Sequence, residues 1–270
     1  MPEPIITVGL GAIAAYLGKD GVAKILGPTA DYLGGELQEF TKKRINNVGK
    51  IFQKAEYKLG KKIEQPGVVP SKVLKAIINE GSYSEDAIAV EYFGGVLASS
   101  RSELSRDDRG ARIAKTLDNL SCYQLRCHYL IYSTVSNIYK SKGSSFNQHN
   151  DRRKLEIFMP LNEFVVAMGI TQKEWNNPQL LSHIFTGLNS DDLIADNWAF
   201  GPIEALKSMS HSEAITEPGI VCTPTAKGAE LFLWGFGYGS HELDYIFSDE
   251  FNSVIDGMPQ IIEKASATKT

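Results

Sequence analysis

The chain has 270 residues, of which 43% are hydrophobic and 22% are charged. This composition is typical of a globular protein with one large or two ordinary domains, and it argues against a disordered chain. The charge is divided unevenly: residues 1–154 hold 23 Lys and Arg against 16 Asp and Glu, whereas residues 155–270 hold 5 against 16. Such a division predicts two modules with different surroundings.

The N-terminal segment contains the longest apolar run, Ile5 to Leu17, which falls short of the roughly 20 residues that span a bilayer. Two interpretations stay open for residues 1–33. Their small residues would pack against other helices in the resting protein, or they would form a hairpin that inserts into lipid on activation. The first is favoured, so we expect a cytoplasmic protein, with peripheral membrane association as the alternative. Three cysteines without metal-type spacing fit reduced thiols.

A long basic helix is predicted between Asp31 and Lys62, because this stretch has no proline and its apolar residues recur at spacings of three and four. Its basic residues occupy mostly the other faces. We take them as a candidate surface for a partner or for lipid headgroups, or alternatively as a nucleic-acid site on helix 41–62: Lys42, Lys43, Arg44, Lys50, Lys54 and Lys58.

Further helices are predicted up to residue 140, so that residues 1–140 form a helical module. Pro70 suits the first turn of one helix, and Ser84 or Glu85 opens the next. The pair Gly94-Gly95 would let another helix approach closely. Residues 141–154 have almost no apolar content and are predicted to be a linker.

The second half changes pattern. A short strand ends at Pro160, a helix follows over Leu161–Met168, and two short helical pieces come before two extended stretches and a closing helix from Ala226 to Trp234. This order predicts a winged-helix-like α+β module over 155–240, a variant of the helix-turn-helix, with residues 241–270 as a tail. The predicted fold class is therefore mainly α, with an N-terminal helical module and a C-terminal winged-helix-like module.

The stretch KILGPTADYLGGELQEFTKKRINNVGKIFQKA, residues 24–55, resembles the opening of the Abi-alpha family of bacterial abortive-infection proteins. The later stretches VVPSKVLKAIINEGSYSED and EYFGGVLASS are similar to that family's helices, in the same order, and CTPTAKGAELF is similar to the closing stretch of many winged-helix domains. Where this chain reads Tyr92-Phe93-Gly94-Gly95, the family usually has tryptophan, alanine and asparagine. The resemblance implies a role in antiphage defence, and the family offers no catalytic motif to carry over.

The winged-helix-like module does not have the charge that DNA binding requires. Its candidate recognition helix, NNPQLLSHIFTG, contains no Lys or Arg, and residues 155–262 hold three lysines against fifteen acids. Because such a surface repels phosphates, we expect a protein-binding or self-associating module rather than a DNA reader. Its candidate interface residues are Leu181, His183 and Trp198.

No pattern of catalytic residues stands out. The five histidines are scattered, without a metal-binding spacing. The glycines of WGFGYGSH follow a helix with the spacing G-x-G-x-G, which differs from the phosphate-binding fingerprints. We therefore expect a protein that is not an enzyme, with no catalytic, metal or cofactor-binding residues, no cofactor and no small-molecule substrate.

Overall fold

The fold is given by a computed structural model, which describes residues 35–104 and 106–269, with side chains from Lys43 onward. The two interpretations of residues 1–33 concern a segment that lies outside the described residues. The fold is mainly helical with a small four-stranded antiparallel sheet, as predicted. The chain divides into two compact units. The helical unit runs up to Asn119 and includes Trp234–Ser240, and the winged-helix-like unit contains Leu120–Leu233 and the chain from His241 onward.

Four helices and one 3-10 turn build the described part of the helical unit: α1 (Gly35–Leu59), the turn Gly60–Glu64, α2 (Ser71–Gly81), α3 (Ala87–Ser99) and α4 (Arg109–Asn119). Pro70 was predicted in the first turn of α2 and lies one position earlier, at the N-cap, with Ser71 as the first helical residue. The start of α3 lies two or three residues later than predicted, because the Asp86 side chain accepts a hydrogen bond from the backbone N–H of Ile88 and caps the helix.

The core of the helical unit forms where α1 packs on α3. Val48, Phe52 and Ala55 are buried as the helical spacing predicts, and Ile51 widens the stripe to a neighbouring position. The prediction for Gly94 and Gly95 is confirmed. A Cβ on Gly94 would lie 2.5 Å from the Lys54 Cβ, and one on Gly95 would lie 1.8 Å from the carbonyl oxygen of Gly235. Only glycine allows this approach.

The winged-helix-like unit holds the remaining elements: α5 (Cys122–Tyr139), α6 (His149–Arg152), β1 (Ile157–Pro160), α7 (Leu161–Met168), α8 (Gln172–Trp175), α9 (Leu180–Ser190), β2 (Ala199–Gly201), α10 (Ile203–Ser210), β3 (Gly219–Cys222), α11 (Ala226–Gly235), the 3-10 turn Leu243–Phe247 and β4 (Ser266–Ala267). The last two residues of α11 belong to the helical unit. Ser121 and Gln124 form a reciprocal capping box at the start of α5.

The sheet has the strand order β2-β3-β1-β4, with antiparallel pairing throughout. Phe158 of β1 pairs with Val221 of β3, and Phe200 of β2 pairs with Ile220. The order of elements is therefore that of a winged helix, namely a helix, a strand, two main helices and a two-stranded wing. In this order α9 has the position of the recognition helix. An apolar cluster of Phe158, Leu206, Ile215 and Val221 lies beneath the wing.

The predicted linker at 141–154 does not separate the two units, since α5 and these residues belong to the same unit as the sheet. Phe146 is fully buried and stacks on Phe247 with ring centroids 5.4 Å apart. The carboxylate of Asp244 accepts hydrogen bonds from the Ser145 hydroxyl at 2.7 Å and the Phe146 N–H at 2.6 Å. One buried ring and one carboxylate thus anchor a polar segment whose composition predicted a linker.

The predicted tail is also a packed part of the unit. Ile246, Ile255 and Ile262 are buried, and β4 pairs with β1 through Ala267 and Ile157. The structure further contains α10 between the two wing strands, a helix that was not predicted from the sequence. The buried residues of the tail, Ile246, Ile255 and Ile262, are isolated from one another in the sequence, so they produce no periodic pattern.

Candidate functional site

The basic residues near the middle of α1 have partners on the neighbouring elements of the helical unit. The Lys43 ammonium lies 2.5 Å from a Glu85 carboxylate oxygen, and both side chains are exposed. The Arg44 guanidinium donates a hydrogen bond to the Ser82 hydroxyl at 3.0 Å and lies over the Tyr83 ring. Lys42 is part of α1, but its side chain lies outside the described part of the chain.

The basic residues at the C-terminal end of α1 turn toward a buried acid. Lys54 and Lys58 contact the two carboxylate oxygens of Glu91 at 2.7 and 2.5 Å, and the Glu91 side chain is only 6% exposed. Burial opposes ionisation of Glu91, but attraction by Lys58 and hydrogen bonds from both lysines outweigh it and lower the pKa of the carboxyl. Burial also lowers the pKa of Lys58, more than Glu91 raises it.

The predicted basic residues that the structure describes therefore differ in their partners and exposure. Lys50 is exposed, Lys43 is exposed in a surface ion pair, and Lys54 and Lys58 pair with Glu91 of α3. An ion pair between exposed side chains contributes little stability, whereas a buried carboxylate without its lysines would be strongly destabilising. The sequence could not reveal this division, because Glu91 is more than thirty residues away from either lysine.

The predicted interface residues of the winged-helix-like unit differ in exposure. Leu181 is 9% exposed on α9 and belongs to the core. His183 is exposed, and its Nε2 lies 3.0 Å from the Ser121 hydroxyl oxygen. Trp198 precedes β2 and is half-buried. Two of the three predicted residues are thus accessible to a partner.

Trp198 belongs to a row of four aromatic rings that leads from the core to the surface. Phe164 and Phe185 are fully buried with centroids 5.8 Å apart, Phe185 stacks on Trp198 at 5.6 Å, and Trp198 stacks on Phe200 at 6.2 Å. Phe200 is 38% exposed on β2, which is an edge strand of the sheet. Exposed aromatic rings held by a buried base are typical of the residues that dominate protein interfaces.

Sequence reasoning missed Phe200 as an interface residue, although a signal was present. Trp198 and Phe200 are two positions apart in an extended stretch, which puts their side chains on the same face of the strand. The alternation in NWAFG therefore predicts a pair of aromatic rings on one side of the wing.

Buried titratable groups of this unit serve its packing. His128 is fully buried, and its Nε2 lies 3.0 Å from the backbone carbonyl oxygen of Gly228. Because a carbonyl oxygen only accepts, this nitrogen carries the proton and donates it. Burial lowers the pKa of His128 to about 3, so the ring is neutral at physiological pH.

Comparisons of the chain with protein-family models, with curated proteins and with solved structures give no match. The resemblance to the Abi-alpha family therefore rests on the quoted stretches of sequence alone. Across residues 35–104 and 106–269, none of the helices is both long enough and apolar enough to cross a bilayer.

Proposed function

We propose that this chain is a non-enzymatic antiphage protein of the abortive-infection type, which acts in the cytoplasm through contacts with another protein. The winged-helix-like unit binds that protein through Trp198 and Phe200. The observation that supports this proposal is the aromatic row, because it fixes the half-buried ring of Trp198 and the exposed ring of Phe200 at an edge strand and leaves them little conformational entropy to lose on binding.

The charge of the same unit supports a protein partner rather than a duplex. The helix in the recognition position, α9, has no Lys or Arg that would neutralise phosphates. The antiphage role is supported by the Abi-alpha resemblance of residues 24–55. In this proposal the winged-helix-like unit senses or assembles with its partner, and the helical unit is the effector, acting at a membrane or on a host or phage target.

The alternative proposal, a regulatory nucleic-acid binder that uses helix 41–62, has less support from the contacts of α1. Lys54 and Lys58 are held by Glu91, and Lys43 is paired with Glu85. A nucleic-acid site needs basic side chains that are free to neutralise phosphates. The alternative predicts duplex affinity with a steep dependence on salt, which is lost on neutralising Lys42, Lys43 and Arg44.

The test is infection of cells that carry the gene, at high multiplicity, with cell survival and phage yield as readouts. We expect cell death with few progeny, and we expect the double variant Trp198→Ala/Phe200→Ala to restore a normal burst. Trp175→Ala is the matched control, because Trp175 is 37% exposed in the same unit but has no place in the aromatic row. It should leave the phenotype intact.

Thermal unfolding of the purified variants separates loss of the surface from loss of the fold. If the double variant is folded and protects as the unaltered protein does, the proposed surface is wrong. Normal bursts of a broad panel of phages on cells that carry the unaltered gene would contradict the antiphage role itself. If a second copy of the chain is the partner, the double variant will be a monomer where the unaltered protein is an oligomer.

A further inference from the structure

A cavity of about 500 Å³ lies in the winged-helix-like unit, away from the aromatic row. Its wall comes from four separate stretches of the chain: α6 with the residue after it, the approach to β2, the connection from β3 into the start of α11, and the chain just after β4. The side chains that matter for its chemistry are His149, Arg152, Arg153, Asn197, Lys227 and Lys269.

The charge of this cavity is opposite to the charge of its unit. Four of its lining side chains, two arginines and two lysines, carry permanent positive charge, and Asp192 is the one acid among the lining residues. An adjoining cavity shares Lys269 and adds Lys142, Lys154 and one acid, Asp151, which pairs with Lys154 at 3.1 Å. Six of the eleven Lys and Arg of the unit thus meet at two neighbouring cavities, although the unit holds seventeen Asp and Glu. Clustered like charges repel, so their concentration in a concave site indicates an anionic ligand.

Hydrogen bonds to other groups of the protein hold several of these cations in place. The Lys269 ammonium donates to Glu156 at 3.0 Å, and the Glu156 carboxylate is buried and also accepts from the Asn197 amide. The Lys227 ammonium donates to the backbone carbonyl of Asp191, and an Arg152 N–H donates to that of Phe146 at 2.9 Å. Since carbonyl oxygens neutralise no charge, Arg152 and Lys227 keep their full attraction for an anion.

Arg153 is the cation best placed to be a direct ligand. It is exposed at the rim, and the described part of the chain provides it with neither a hydrogen-bond acceptor nor an ion-pair partner. A guanidinium presents a planar set of donors that matches two oxygens of a phosphate group. Because Arg152 lies beside Arg153 in the lining of the cavity, the two arginines suit a ligand with more than one phosphate.

The wall also includes the first turn of α11, a helix of ten residues. The hydroxyl oxygen of Thr225 accepts the N–H of Gly228, which leaves the N–H groups of Ala226 and Lys227 without acceptors among the described residues. The free N–H groups at a helix N-terminus favour an anion, and here they add to the four cations.

We propose that this cavity binds a compact ligand with clustered phosphates, either an inorganic oligophosphate or the phosphate end of a nucleotide. The volume suits a ligand of nucleotide size. Among the described residues that line the cavity there is no Phe, Tyr or Trp, so the phosphates rather than a base supply recognition. The proposal is independent of the aromatic surface and of the antiphage role.

The test is calorimetric titration of the full chain with inorganic triphosphate and, separately, with ATP, at low and at high salt. We expect saturable binding of one ligand per chain that weakens as salt screens the charges. Arg153→Glu should weaken it at least about tenfold, since it removes a charge-assisted contact and adds a repulsion. Lys173→Glu is the matched control, because it makes the same change of charge on α8, outside the cavity lining.

Equal affinity for triphosphate and ATP supports the inorganic source, and tighter binding of ATP supports the nucleotide. Absence of binding for both ligands at low salt overturns the proposal, as does equal weakening by Arg153→Glu and Lys173→Glu. Binding of an oligonucleotide, without binding of either small ligand, would also overturn it. Arg153 is exposed and makes no contact that the fold needs, so a thermal unfolding curve like that of the unaltered protein should accompany the loss.

Discussion

The ammonium group of Lys58 lies 2.5 Å from the carboxylate of Glu91, with 9% of one side chain and 6% of the other exposed. Lys54 completes the arrangement from the same helix. A buried pair of this kind contributes little net stability as long as it is complete, because desolvation offsets attraction. Removal of one partner leaves the other charge buried and unpaired.

Glu91→Ala should therefore destabilise the helical unit by about 3–5 kcal/mol, the usual cost of leaving one partner of a buried ion pair uncompensated. Chemical denaturation, followed by circular dichroism, measures this change. The matched control is Glu85→Ala, which removes the exposed partner of Lys43 and should cost less than about 1 kcal/mol. Equal effects of the two variants would mean that Glu91 is as well solvated as Glu85.

Gly95→Ala should destabilise the same unit by about 1–3 kcal/mol or more, because an added Cβ must push the Gly235 backbone away. The control is Gly67→Ala, whose Cβ would meet the side chain of Arg101 at 3.2 Å rather than a backbone atom. That change should stay within about 0.5 kcal/mol, as surface substitutions usually do. A stable Gly95→Ala protein would show that the backbone at Gly235 yields easily.

His128 should make the winged-helix-like unit less stable as the pH falls. The pKa of His128 is about 3 in the folded chain against 6.5 for the ordinary side chain, so between these values the unfolded chain binds a proton that the folded chain does not. The stabilising contribution is complete above pH 6.5 and falls by up to about 1.4 kcal/mol per pH unit below it. Denaturation at a series of pH values measures the slope.

His128→Asn removes that titration, so its stability should depend less steeply on pH than that of the unaltered protein. His211→Asn is a suitable control, because His211 is exposed and asparagine tolerates its positive φ of 55°. The control should keep the original slope. Parallel slopes for the unaltered protein and His128→Asn would contradict the assignment to His128.

Asp244 should decide whether the segment 141–154 is accessible to proteases. In the unaltered protein its carboxylate holds Ser145 and the Phe146 backbone, so trypsin should cleave slowly at the basic residues of this segment. Asp244→Ala should open the segment and speed cleavage there, as mass spectrometry of the fragments would show. Glu242→Ala, which changes an exposed neighbour, should cleave at the original rate. Rapid cleavage of the unaltered protein would support a linker instead.

The periodic elements could be predicted from sequence with good boundaries. Leu161–Met168 forms a helix over the predicted residues, α8 is one of the two predicted short helical pieces, and β1 ends at Pro160 as expected. These stretches are bounded by local signals, such as proline or the capping box of Thr171 and Glu174. By contrast, β4 consists of two residues that pair with a strand more than a hundred positions away, and no local pattern encodes that pairing.

The candidate sites follow the same division. The row through Trp198 and Phe200 has a local signal in its alternation, whereas the basic cavity has none, because Arg153, Lys227 and Lys269 meet only after folding. The contacts of Lys54 and Lys58 with Glu91 have no local signal either, since Glu91 lies on another helix. The sequence shows how many charged residues the chain has. Contacts between elements that are distant in sequence decide which of these charges are paired.

The assignment of Trp234–Ser240 to the helical unit has a consequence for biosynthesis. Trp234 and Phe236 are buried, and Gly235 packs against Tyr92 and Gly95 of α3. A ribosome makes these residues only after it has made most of the winged-helix-like unit. In the nascent chain, α3 is therefore incompletely covered until Trp234–Ser240 have been made, in the last third of translation. Messages truncated within the second half would release a helical unit that lacks part of its own core.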